Sequence, residues 1–140
     1  MGMYTELNMS AVVKPDENNL LVLRYMVGDE DVLATDIESI IPKHRLFELE
    51  TGRWTYMLNC DSFYFDHTAH SELVDRHGVD TVLNVRCDLK DYEDEIKHFL
   101  DWVYSFSSTR GFVGYTRYEE CEDPTLIYFT DDGVEYRSVN

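Results

Sequence analysis

The chain has 140 residues, and 28 Asp+Glu stand against 12 Lys+Arg, for a formal net charge of −16. A surface this negative repels phosphate, which disfavours direct binding of DNA, RNA or anionic lipid. Apolar residues at 44% and aromatics at 14% are enough for a core, which excludes wholesale disorder, and the length fits one globular domain over 1–140.

Residues 4–13 alternate, with Leu7, Met9, Ala11 and Val13 on one side and Tyr4, Glu6, Asn8 and Ser10 on the other. Period two predicts a half-buried strand. Pro15 ends it, and Asp16 to Asn18 supply helix-start chemistry. The apolar run Leu20–Val27 then predicts a helix over 17–27 with Gly28 as its C′ residue, a buried strand being the competing reading. Leu33, Ile37, Ile40 and Ile41 have helical spacing before Pro42, so 29–52 fits a short helix or an ordered loop. Trp54, Tyr56 and Leu58 alternate and predict a strand over 53–58, continued or restarted at Phe63-Tyr64-Phe65. Residues 70–75 and 79–88 read as a hairpin about Arg76-His77-Gly78. Tyr92, Ile96, Phe99, Leu100, Val103 and Phe106 form one stripe, so 92–106 is the clearest helix, with Asp91 as its expected N-cap. Strands follow near 112–119 and 125–129. Asp131-Asp132-Gly133 is a hairpin signal before a last strand at 134–138. Strands joined by short turns imply antiparallel pairing, and amphipathic helices need one sheet face to cover. The expected fold is an α+β two-layer sandwich, with about five to seven antiparallel strands against two or three helices.

No Walker A, G-x-G-x-x-G, G-x-S-x-G, CxxC or HExxH pattern is present, so no catalytic residue is assigned, no cofactor is expected and the reading is non-enzymatic. Each of the three cysteines has acids beside it, and neighbouring carboxylates make a thiol a poorer nucleophile. Cys60, His67 and His70 are weak metal candidates, because the spacing is loose. The first six residues lack the basic and apolar segments of a secretory leader, no run reaches the ~20 apolar residues of a membrane span, and Gly2 lacks the Ser or Thr at position 6 that acylation needs. The widely spaced, odd cysteines suggest a reducing compartment, and the expected location is cytoplasmic.

The acidic excess is concentrated in runs, and it exceeds the roughly 2–8 charges that solubility calls for in a small domain. Steering toward a basic protein is a physical return for that self-repulsion. Expected partner contacts are Glu119, Glu120, Glu122, Asp123, Asp131 and Asp132, with Tyr115 as an anchor. In a different class, Trp54, Tyr64, Arg117 and Tyr128 could line a pocket for a nucleotide-like anion. A third reading is an immunity protein that neutralises a cationic toxin.

Two stretches carry a resemblance. Trp54-x-Tyr56-Met57-Leu58-Asn59-Cys60-Asp61-Ser62-Phe63-Tyr64-Phe65 is one. The other is Gly114-Tyr115-x-Arg117-Tyr118-Glu119-Glu120 with Pro124-Thr125-Leu126-Ile127-Tyr128-Phe129. Together they resemble small uncharacterised proteins encoded by bacteriophages and prophages. The resemblance transfers no activity and no catalytic residue. It implies a setting, a small accessory protein in a bacterial host cytoplasm of a kind that inhibits a host protein or defence system; with the acidic excess, the expected target is a basic host protein of defence or nucleic-acid processing.

Overall fold

The computed structural model describes residues 3–139; Met1, Gly2 and Asn140, and with them the acylation position, lie outside the described residues. The central strand β1 (Thr5–Val13) leads into helix α1 (Glu17–Met26), whose start is capped by the Asp16 carboxylate accepting from Asn19 N at 2.8 Å. Val27 closes the helix and Gly28 follows at φ +90°, as the sequence predicts for a C′ glycine. Residues 29–52 carry two one-turn helices, α2 (Ala34–Ile37) and α3 (Arg45–Glu48).

The predicted strand at 53–58 does not form. Two 3-10 turns take its place, Arg53–Thr55 and Met57–Asn59, entered through Gly52 at φ +62°. The reason is packing. Met57 and Leu58 are adjacent yet both buried, and Trp54 stands edge-on to Phe47 at 4.9 Å in the helix layer. Two neighbouring buried side chains do not fit one strand face. Phe63-Tyr64-Phe65 is likewise loop, not strand.

Strands β2 (His70–Arg76) and β3 (Asp80–Leu89) form the predicted hairpin. His77 and Gly78, at φ +56° and +73°, give the turn whose twist matches the strands. Helix α4 (Glu95–Tyr104) starts later than its apolar stripe suggests. Asp94 precedes it with φ +58°, so Asp91 is not the flanking cap residue. Its carboxylate nevertheless accepts from Ile96 N at 2.9 Å across an intervening turn. Burial pushes the Asp91 carboxyl up to about 6, against that hydrogen bond. Strands β4 (Gly111–Tyr118), β5 (Thr125–Thr130) and β6 (Gly133–Ser138) complete the chain.

The strands form one antiparallel sheet in the order β2-β3-β1-β4-β5-β6. With the helices on one side, this is the expected α+β two-layer sandwich. Among the described residues six strands fall within the expected range, and the α-helices are two long ones plus two single turns. One sheet face and one helix face make the core. Leu7, Met9, Ala11 and Val13 of β1, with Leu83, Val85, Cys87 and Leu89 of β3, bury against Val22, Leu23 and Met26 of α1 and Ile96, Phe99, Leu100 and Val103 of α4. Full burial of each large side chain contributes about 1.5–3 kcal/mol. At the middle of the sheet a side chain on Gly114 would bring its Cβ within 2.0 Å of the Asn8 carbonyl oxygen, so only glycine fits there.

Candidate functional site

Among the described residues the opposite sheet face has no helix over it. The loop 60–69 folds over the end of that face formed by the start of β1 and the ends of β3 and β4. Alternation sends Glu6, Asp88 and Arg117 to this outer face, and register places them side by side: Glu6 pairs with Asp88 on β3 and with Arg117 on β4. Glu6 is 4% exposed and Asp88 0%. Two acids this close and this buried require cations.

The loop supplies one. His67 Nε2 lies 3.0 Å from Asp88 Oδ1, and Nδ1 lies 3.4 Å from Glu6 Oε2. Arg117 Nε sits 3.2 Å from Glu6 Oε1. One ring nitrogen faces each carboxylate, so the imidazole bridges the two acids while the Arg117 guanidinium meets Glu6 from the other side. Phe65 stacks on His67 with centroids 6.0 Å apart, and its ring lies 5.0 Å from the Arg117 guanidinium carbon, which covers the buried carboxylates while the Arg117 side chain stays 37% exposed. Ser62 N donates to Asp88 Oδ2 at 3.3 Å, and Asp88 N donates to Cys60 O at 2.8 Å. Burial pushes the Asp88 carboxyl up, while His67 and the Ser62 N–H pull it back.

Glu6, His67 and Asp88 are also a set of metal-type donors, one atom of each lying within 4.8 Å of the others. The geometry favours an ion-pair lattice. The two ring nitrogens address different carboxylates, and Arg117 holds Glu6. A cation at this point would have to turn the imidazole and meet the guanidinium charge. The other sequence candidates do not join the set. His70 faces Glu72 at 3.5 Å, and Cys60 sits beside Tyr4, Arg53 and Lys90. Burial, with Asp61 and Asp88 nearby, pushes the Cys60 thiol up, and burial does the same to Cys87. Neither is prepared as a nucleophile.

Beyond the pinned Phe65 the loop turns outward. Phe63 is fully exposed and Tyr64 is exposed, with Asp61 and Asp66 exposed on either side. Tyr64 lies 5.9 Å from Tyr4, and a cleft of about 640 Å³ opens between Tyr4 and residues 61–68. Tyr4 in turn holds the β4–β5 turn: its amide donates to the Glu119 carboxylate and its carbonyl accepts from Glu119 N at 3.0 Å. Glu119 is therefore tied through Tyr4 to the aromatic loop, and Glu120, Glu122 and Asp123 follow it along the same turn. Asp131 and Asp132 occupy the β5–β6 turn at the other end of β5, so the structure separates them from the first group. Tyr115 lies on the open face between Asn8 and Leu126.

The residues read as a ligand pocket do not converge. Trp54 is in the helix layer, Arg117 is engaged by Glu6, and Tyr128 lies several residues along the sheet with the Arg137 guanidinium 3.9 Å above its ring. Glu6 and Asp88, the two acids that organise the site, were not singled out by sequence. The available signal was an acid at an outward position on each of two alternating strands.

Among the described residues no helix is long and apolar enough to cross a membrane. Comparison with protein-family models, curated proteins and solved structures finds no match to this chain.

Proposed function

We propose that the protein is a non-enzymatic binding protein that engages a basic surface of another protein through the loop 61–68 and the adjoining turn 119–123. The observation that carries this is Phe63, a fully exposed aromatic on a loop that a buried ion cluster holds in place, flanked along the chain by the exposed Asp61 and Asp66, with Glu120 and Glu122 on the turn that Glu119 ties to Tyr4. An exposed Phe forgoes about 1.5–3 kcal/mol of burial that a partner's pocket would return. Preorganisation lowers the ordering cost of docking, and the carboxylates steer a cationic partner and reject an anionic one. In the phage-accessory setting that the two motifs suggest, the partner is a basic host protein of defence or nucleic-acid processing in the bacterial cytoplasm. A cationic toxin would meet the same surface by the same logic. The nucleotide-capture reading has less support: Asp61 and Asp66 line the cleft, and the imidazole that lines it, His67, is already held between Glu6 and Asp88.

The test is affinity capture from bacterial lysate with mass spectrometry, comparing the native chain with Phe63→Ala and with Glu120→Lys/Glu122→Lys. A basic protein should be retained at low salt and released near ~0.5 M, where screening acts within a few Å. Phe63→Ala should weaken it by about 30-fold, the size of a hot-spot loss. If the same proteins are recovered with all three chains, the surface assignment is wrong.

A further inference from the structure

The open sheet face away from the loop has its own pattern. Pairing register sorts its outward side chains into rows that run across the strands. One row is Val74–Val82–Val12. The next is Glu72–Asn84–Ser10, and beyond the bulge at Val113 it continues as Phe112–Tyr128–Glu135. The third is His70–Arg86–Asn8–Tyr115–Leu126–Arg137. The loop covers only a fourth, Asp88–Glu6–Arg117.

The two middle rows hold Glu72 and Glu135 against Arg86 and Arg137, so their formal charge sums to zero on a chain of −16. They also hold four large apolar or aromatic side chains, of which Phe112 is 56% exposed. A molecule that repels its own copies nearly everywhere does not do so here.

We propose that this face is the interface of a homodimer. The rows are self-complementary under a two-fold axis lying between them and parallel to them. That rotation keeps each strand over its counterpart and exchanges the two rows. Glu135 then meets Arg137, Glu72 meets His70, Asn84 meets Arg86, Phe112 meets Tyr115 and Tyr128 meets Leu126, each pair occurring twice. Isologous contact demands this reciprocity, and two sheets packed face to face at about 10 Å are a common way to meet it. Matching contacts already exist within one copy, the Arg137–Glu135 ion pair at 2.9 Å and His70 Nε2 at 3.5 Å from Glu72, so a second copy extends them into four-membered networks. The acidic ends then point in opposite directions along the strands.

Sedimentation equilibrium of the intact protein, from about 1 to 500 µM, tests this across the range of ordinary dimer affinities. The mass should rise toward twice 16.5 kDa, and more readily at 0.3 M than at 0.02 M salt, because repulsion between two −16 chains is screened. That salt response is opposite in sign to the one expected for a basic partner, so the two proposals fail separately. Arg137→Glu should weaken dimerisation at least tenfold by facing Glu135, and Glu135→Arg/Arg137→Glu should restore it. Phe112→Glu should give monomer. Circular dichroism confirms that each variant is folded. A monomer throughout the range, or a dimer indifferent to Arg137→Glu and Phe112→Glu, overturns the proposal.

Discussion

At His67 one imidazole separates two buried carboxylates that pair across β1 and β3 and would otherwise repel one another. Removing it leaves Asp88 without the ring that pulls its carboxyl back, so His67→Ala should cost about 3 kcal/mol at pH 7. The pH dependence gives the sign. Asp88 has a raised carboxyl, so its contribution to stability is present below the unfolded value and is lost as pH rises through the folded one. Without His67 that loss deepens. The cost should be largest at neutral pH and at most half as large near pH 4, measured by urea unfolding at both. A cost independent of pH would mean that the ring acts by packing against Phe65 rather than by charge.

A similar arrangement sets where α4 begins. Glu95 is completely buried in its first turn, with Arg53 Nη1 2.8 Å from Oε2, Thr51 donating to Oε2 at 3.2 Å and Glu93 N donating to Oε1 at 2.8 Å. This pair fixes the 3-10 segment against the helix. Arg53→Met should destabilise by about 3 kcal/mol in urea titrations, and adding Glu95→Gln should recover part of that, because a neutral amide costs less to bury than an unpaired carboxylate. An unchanged midpoint in the single variant would show that solvent reaches Glu95. The pair also explains which elements were legible. The alternation of β1 and β3, the stripe of α4 and the Asp131-Asp132-Gly133 turn are short-range patterns, and each formed its element, although α4 starts at Glu95 rather than at the head of its stripe. Arg53 to Leu58 has the alternation of a strand, yet Glu95, Phe47 and the core claim its side chains from distant parts of the chain, and the backbone coils to satisfy them.

Across the whole molecule the −16 charge is a standing repulsion, and at low ionic strength the Debye length of about 30 Å spans the protein. The melting temperature should therefore rise by roughly 3 °C or more between 10 mM and 0.3 M salt, followed by calorimetry at fixed protein concentration. A flat or falling response would mean that local pairs such as Arg76–Asp80 outweigh the net repulsion. Sequence alone determined the fold class, most of the strands and the excess of charge, because these follow from residue type and local period. Tertiary structure decided how that charge is distributed: which acids are buried, which turn joins the aromatic loop, and which face is neutral. The reason is distance along the chain. Glu6 and Arg117 are 111 positions apart, and nothing local to either says that strand pairing will set them side by side.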